Sequence, residues 1–291
     1  MASLRDIKQK IGAVKKTKQI TRAMNMVASA KLRNAQDRIE RFRPYADKYY
    51  DTIEELSSRA DSNAHPLLEK RDEIQRVGII LVTSDKGLCG SFNTNINKEA
   101  RTLAERCRAE GKEVRVFCIG KKGCDFMRKN NFEIADRKTN VMNNFDFELA
   151  LDIGDDIINR YLSAELDEVH IVYGQFINLV KQKAISAQIL PVVPESGEEE
   201  AADSGEFIFE PSVEGLLAEL LPKYVKVQIY RGLLDTSASE HAARMNAMDN
   251  ATKNCDEMVD SLTLVYNKAR QASITTELMD IVGGAEALKQ G

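Results

Sequence analysis

The sequence has no tryptophan, only three histidines and no long hydrophobic run. Its longest uncharged apolar stretch, Val77–Val82, is far shorter than the roughly 20 residues of a membrane-spanning helix, so we expect no membrane insertion. The five cysteines are odd in number and form no Cys-x-x-Cys, which argues against a disulfide framework or a metal knuckle. No apolar segment typical of a signal peptide follows Met1, and Asp6 makes a transit peptide the weaker interpretation of the basic start.

What is present is a charged chain whose near-neutrality conceals an asymmetry. Lys and Arg total 41 and Asp and Glu total 45, a net charge of −4 that argues against a general nucleic-acid binder. Residues 1–43, however, carry twelve basic and three acidic residues, a net of +9, which leaves −13 for the remainder. A solvated helix face is the simpler explanation. The alternative is an electropositive helix that faces acidic partner surfaces.

The first part of the chain, residues 3–60, shows apolar residues at three- and four-residue spacing, which predicts a long amphipathic helix with one narrow seam. The seam residues are Leu4, Ile7, Ile11, Val14, Ile20, Met24, Val27, Ala35, Ile39 and Phe42. Ser3 is a suitable N-cap, with Asp6 three residues later. Pro44 is expected to kink the helix without ending it. At 1.5 Å per residue the helix would span roughly 80 Å, longer than a compact domain requires.

The last part, residues 213–287, has the same periodicity and predicts a second long helix, with Pro222 and Gly232 as weak points near its start. Small residues in its seam would allow a partner helix to approach closely. These are Ala238, Ala242 and Ala269. Because the two long helices lie at opposite ends of the chain and are joined through a middle domain, we predict a long antiparallel two-helix coiled coil.

The middle part alternates strands with helices, which predicts a central open α/β (Rossmann-like) domain. The predicted strands are Val77–Thr83, Val114–Ile119, Phe132–Ile134, Glu168–Tyr173 and Ala184–Leu190, with an edge strand at Glu206–Phe209. The predicted helices are Asn95–Glu110, Lys121–Lys129 and Phe147–Leu162. An acidic loop is expected near 195–206. The domains are therefore expected to be 1–75 for the first helix, 76–211 for the α/β domain and 212–291 for the last helix.

No constellation typical of catalysis is visible. The glycine-containing turn Ser84–Asn93 matches neither the phosphate loop Gly-x-x-x-x-Gly-Lys-Ser/Thr nor Gly-x-Gly-x-x-Gly, so a structural or protein-contact turn is favoured over a phosphate site. His65, His170 and His241 are not arranged with a cysteine or serine as a nucleophile and base. We therefore expect no catalytic residues, no metal and no cofactor, and we interpret the cysteines as small core residues.

Two segments are not explained by a coiled coil alone. Met24 and Met26 lie on different faces of the first helix, and an exposed methionine suits a surface that meets changing partners. Residues 269–277 place Arg, Gln, Thr and Glu side chains close together near the end of the last helix, a mixture that a merely solvated helix end does not require. Both segments indicate contact surfaces.

These segments closely resemble the gamma subunit of F-type ATP synthases, and the resemblance covers essentially the whole chain. The blocks that carry it are Ile7–Lys15, Lys18–Ala28, Lys31–Arg33, Ser84–Gly90 with Asn93, Ser239–Met248, Ala251–Thr252, Tyr266–Thr275 and Glu277–Ala285. Their order and spacing together are highly specific.

The resemblance implies a rotor shaft that couples ion-driven rotation of the c-ring to conformational cycling of the beta catalytic sites. The implied partners are three alpha and three beta subunits, the epsilon subunit and the c-ring. The implied location is peripheral, on the cytoplasmic side of the inner cell membrane. The residues that match alpha- or beta-contacting positions are Met24, Lys86, Arg244, Arg270, Gln271, Thr275 and Glu277.

The inserted dithiol segment of chloroplast members has no counterpart here, so thiol regulation is not expected. Two rivals remain open from the residues alone. One is a coiled-coil tether with no motor role, and the other is an α/β nucleotide-binding enzyme with helical arms.

Overall fold

A computed structural model describes residues 3–59, 65–69, 71, 73–193 and 213–289 of the chain. Its elements in chain order are α1 (Leu4–Arg59), β1 (Arg76–Val82), α2 (Phe92–Ala109), β2 (Glu113–Ile119), α3 (Lys121–Lys129), β3 (Glu133–Lys138), α4 (Phe147–Leu162), β4 (Glu168–Phe176), β5 (Gln182–Leu190) and α5 (Val213–Lys289). The predicted edge strand Glu206–Phe209 and the acidic loop near 195–206 fall outside the described residues. Pro44 lies inside α1 and Pro222 inside α5, and both helices continue past them.

The sheet confirms the predicted α/β class and adds one detail that the sequence pattern did not provide. Its strand order is β3-β2-β1-β4-β5. The first four strands are parallel, and β5 pairs with β4 in the antiparallel direction. Residues 177–181 alone connect β4 to β5, which is too short for a crossover helix, so the chain can only turn back as a hairpin.

Both faces of the sheet are covered, which explains why β1 is apolar at successive positions rather than at alternate ones. On one face, Ile79 and Leu81 pack with buried residues of α2 and α3. On the other face, Ile80 packs with α4 and with parts of the long helices, including Leu56 of α1 and Leu221 of α5. Four of the five cysteines are buried, as predicted for small core residues.

By its internal contacts the chain divides into two compact units. The first comprises the chain up to Val27 and from Met245 onward, and the second is Ala28–Arg244. In the second unit the later part of α1 and the early part of α5 form one layer of the α/β core. The domain boundaries drawn from the sequence at 75 and 211 stay a prediction.

The first unit is an antiparallel pair of helices. The Thr21 and Thr252 hydroxyl groups are 2.8 Å apart, and Lys18 forms an ion pair with Asp256. The Asn25 side-chain amide donates to the Met245 carbonyl over 2.8 Å. Successive residues along α1 pair with residues of α5 whose sequence numbers decrease. The two helices therefore run in opposite directions, as predicted.

The start of α1 is fixed by a reciprocal cap. The Asp6 backbone N–H donates to Ser3 Oγ over 3.2 Å, and the Ser3 N–H donates to the Asp6 carboxylate over 3.1 Å. This satisfies backbone donors that have no partner within the helix, and it confirms the predicted role of both residues. Among the described helices, none combines the length and the apolar character that crossing a membrane demands.

Candidate functional site

The predicted contact residues near the end of α5 lie on a segment that α1 does not cover. Continuing the pairing of Thr21 with Thr252 at equal rise along both helices places Leu4, where α1 begins, near Ala269. In the first unit, α5 therefore has no α1 residue opposite it after this point. Arg270, Gln271, Thr275 and Glu277 are all exposed there.

The same segment carries large apolar side chains that are more than half exposed within the described chain. Leu278 is 56% exposed, Met279 68% and Ile281 69%. Its polar side chains bond locally: the Thr275 hydroxyl donates to the Gln271 carbonyl over 2.9 Å, and Ser273 Oγ donates to Glu277 over 3.3 Å. A contiguous exposed apolar surface of this kind is typical of an interaction site.

Met24 lies on α1, within the pair of helices described above. Its side chain is half-buried, whereas Met26 and Val27 are 60% and 58% exposed. The two methionines thus occupy different environments, as their spacing predicted. Ile20, four residues before Met24, is also 60% exposed, so the prediction that Ile20 and Val27 lie in the seam was wrong and apolar surface continues along this part of α1.

Lys86 lies in the turn that follows β1, at the carboxyl edge of the parallel strands, and its side chain is exposed. The turn is ordered from within: Ser84 Oγ donates to the Lys86 carbonyl over 2.6 Å, and the Ser84 N–H donates to Asn93 Oδ1 over 3.1 Å. Leu88 has a left-handed backbone, with φ of 62°, and its side chain is 64% exposed. The turn therefore presents Lys86 and Leu88 outward on a fixed backbone.

Asp85 follows β1 at the edge of the sheet where nucleotide-binding α/β proteins bind their ligands. Strand order reverses at β1, which pairs with β2 on one side and β4 on the other, and ligands in open α/β sheets bind at the carboxyl ends of such strands. The buried Asp85 carboxylate accepts the backbone N–H groups of Lys121, Asn140 and Met142 over 2.7–3.0 Å. Lys121 begins α3, so the anion position at this helix start is filled by the chain's own carboxylate.

Arg244 anchors the Lys86 turn to α5. Its guanidinium, with a side chain only 11% exposed, donates to the Gly87 carbonyl over 3.1 Å and to Glu240 over 2.6 Å. Burial raises the pKa of Glu240, and the charge of Arg244 opposes that shift. Burial and the nearby cations Arg244 and Lys31 lower the pKa of His241 to about 4, so this histidine is neutral at pH 7.

The structure thus brings Lys86 and Arg244 into one cluster within the second unit. It places Arg270, Gln271, Thr275 and Glu277 together on α5 in the first unit. Sequence reasoning assigned no role to Asp85 or Glu240. The spacing of Glu240 and Arg244, four residues apart on a helix, is a signal that could have identified that pair, whereas the partners of Asp85 lie 36–57 residues away along the chain.

The fold is shared with chains of solved ATP synthase structures. The chain is similar to a chain of the central stalk and c-ring of the Tetrahymena thermophila mitochondrial ATP synthase, with 25% identity, a TM-score of 0.60, and coverage of 80% of this chain and 99% of that one. A chain of the Euglena gracilis mitochondrial ATP synthase shares the fold, at 21% identity, with a TM-score of 0.66 and coverage of 98% and 94%.

Curated relatives identify the family more narrowly. A family model described as ATP synthase matches residues 3–288. The ATP synthase gamma chain of Nitratidesulfovibrio vulgaris strain Hildenborough is 63% identical over 99% of this chain and all of its own length. That of Maridesulfovibrio salexigens is 60% identical over the same shares. The chain belongs to the ATP synthase gamma-chain family, and it is accordingly a non-catalytic rotor-shaft subunit of that enzyme.

We predict that Asp85→Asn destabilises the isolated chain. The amide keeps one acceptor oxygen and directs an N–H₂ group toward backbone donors, so the free energy of unfolding should fall by about 1–3 kcal/mol. Urea unfolding followed by circular dichroism measures this change.

The native chain is expected to bind no ATP, because Asp85 already occupies the backbone donors at this edge of the sheet. Calorimetric titration of the native chain with MgATP should give no saturable heat, and a stoichiometric complex would contradict this expectation.

Removing one partner of the Arg244–Glu240 pair should destabilise the chain strongly, and the effects of the two single changes should not add. Arg244→Gln leaves a buried carboxylate unpaired, so we expect a loss of about 3–5 kcal/mol. A double-mutant cycle with Glu240→Gln, measured by urea unfolding, should give a coupling of about 1–3 kcal/mol. The exposed pair Glu219–Lys223, at the same spacing on α5, is the matched control. Equal coupling for the two pairs would show that the Arg244 cluster is not a structural anchor.

Proposed function

We propose that the exposed surfaces described above are where this rotor subunit meets a ring of three alpha and three beta subunits. The helical segments within 1–75 and 212–291 would act as the shaft. The α/β domain within 76–211 would contact the epsilon subunit and the c-ring. The complex would lie peripherally on the cytoplasmic side of the inner cell membrane.

The observation that most supports this proposal is the exposed segment of α5 that follows Ala269. Residues 270–282 combine an unburied apolar surface with a dense set of polar groups, and α1 does not cover them. Burying apolar surface is worth roughly 25 cal/mol per Å², so leaving it exposed is a cost unless another subunit covers it. Arg270, Gln271, Thr275 and Glu277 supply the donors and acceptors that give such a contact its orientation.

The two remaining shaft and turn residues have different roles in this proposal. Met24, half-buried beside exposed Ile20 and Val27, would contribute adaptable apolar contact to successive ring subunits as the shaft turns. Lys86 would provide a mobile positive charge for an acidic surface of beta.

Arg244 is proposed to act through Lys86. Its guanidinium is mostly buried and already bonded to Gly87 and Glu240, so it would hold the turn in place while Lys86 makes the contact. Rotation is then coupled to catalysis because the shaft makes different contacts with different conformations of beta. An asymmetric shaft that binds each beta conformation differently shifts the three catalytic sites through their states in turn.

The tether hypothesis makes a different prediction about the same residues. A tether needs the seam of the helical pair but not the polar groups after Ala269. Changes at Arg270, Gln271, Thr275 or Glu277 that preserve assembly should therefore leave a tether intact and impair a rotor.

Met24→Lys is expected to lower ATP-driven ion pumping several-fold in membrane vesicles while the complex still assembles. The added ammonium would meet ring subunits where an apolar, adaptable side chain slides, and it would favour one rotational state over the others. The ratio of pumping to ATP hydrolysis measures the effect, and Met24→Leu is the control of similar volume. Normal pumping by Met24→Lys, with normal subunit ratios, would refute the proposed role.

A further inference from the structure

The tip of the β4–β5 hairpin, residues 177–181, exposes apolar side chains. Val180 is 84% exposed, and Ile177 and Leu179 are each 45% exposed. None of these residues belongs to the segments that carry the family resemblance, and the contact set proposed above does not include them. The three aliphatic side chains, at positions 177, 179 and 180, form an exposed apolar patch at one loop tip. Such a patch is typical of an interaction site.

The hairpin tip is ordered in advance of any partner. Asn178 Oδ1 accepts the backbone N–H groups of Val180 and Lys181 over 2.9 and 2.8 Å. The Asn178 N–H donates to the Lys181 carbonyl over 3.1 Å, and the Gln182 amide donates to the Asn178 carbonyl over 3.0 Å. A tip fixed in this way loses little conformational entropy when a partner binds, so its aliphatic side chains can contribute more of their burial to affinity.

The tip shares an edge of the sheet with the Lys86 turn. β4 pairs with β1 in the parallel direction, so the carboxyl ends of both strands lie at one edge. The residue that follows β1 by four positions is Lys86, and the hairpin tip follows β4 directly. The tip and the Lys86 turn therefore lie at the same edge of the sheet.

This edge is basic near β1, β2 and β4. In the loops and first helical turns that follow the carboxyl ends of the described parallel strands, four lysines are exposed: Lys86, Lys121, Lys122 and Lys181. The exposed carboxylates there, Asp146 and Glu148, follow β3, which β2 and β1 separate from β4. Asp85 is buried among backbone N–H groups and adds no exposed negative charge.

We propose that the hairpin tip 177–181 is a second contact on the acidic face of the alpha-beta ring, next to the Lys86 contact. The inference rests on the proposed function, which assigns that face to Lys86. Exposed aliphatic side chains beside lysines match a partner surface that is acidic and partly apolar, since opposite charge orients the encounter and apolar burial stabilises it.

Site-directed photo-crosslinking in the assembled enzyme tests this contact. Val180→Cys, Lys86→Cys and Ser163→Cys would each be made in a Cys255→Ser background and labelled with a benzophenone maleimide. Cys255 is the one cysteine that is not buried. Ser163 is exposed and precedes β4, at the opposite edge of the sheet, so it is the matched negative control. Ile177→Cys is the substitute if Val180→Cys lowers the yield of complex.

We expect the probe at position 180 to give at least tenfold more adduct with alpha or beta than the probe at 163. If the probe at 86 labels beta but those at 180 and 177 label neither alpha nor beta, the hairpin contact is wrong while the proposed function stands. Adducts of the hairpin with epsilon, the c-ring or lipid would also overturn it. If the probe at 86 labels no ring subunit either, the proposed function itself fails at this edge.

Discussion

The pairing of α1 with α5 is the interaction on which the rest of the structure depends. In the first unit it rests on a narrow seam with few fully buried side chains, supplemented by polar links such as Thr21–Thr252 and Asn25–Met245. In the second unit the same two helices become one layer of the α/β core, where Leu56 and Leu221 are completely buried. The two helices, which lie far apart in the sequence, are thus held together by a narrow interface in the first unit and by a broad apolar core in the second.

Asp85 lies at the edge of the sheet where open α/β sheets of this strand order commonly bind a ligand. Its buried carboxylate there accepts three backbone N–H groups of the chain itself. The same crevice instead supports a turn whose backbone is tied to Arg244. At this edge of the sheet the turn exposes Lys86 and Leu88.

Local periodicity was sufficient to predict most of the fold. The helices at Lys121–Lys129 and Phe147–Leu162 have the bounds that the sequence predicted, because side-chain spacing and flanking turn residues act within a few positions. The antiparallel direction of β5 was not predicted, since strand patterns carry no sign of direction. The hydrogen bonds of Asp85 and the Arg244–Gly87 bond were not predicted, because their partners lie far away along the chain. The division of α1 and α5 between two units was not predicted either, because it depends on tertiary packing.

Direct observation of rotation is the measurement that tests the central claim. With alpha and beta subunits fixed to a surface and a bead attached to Ser163→Cys on this chain, ATP should drive rotation of the bead in one direction. The account would be contradicted if the same complexes hydrolysed ATP at the full rate while the bead showed only Brownian motion.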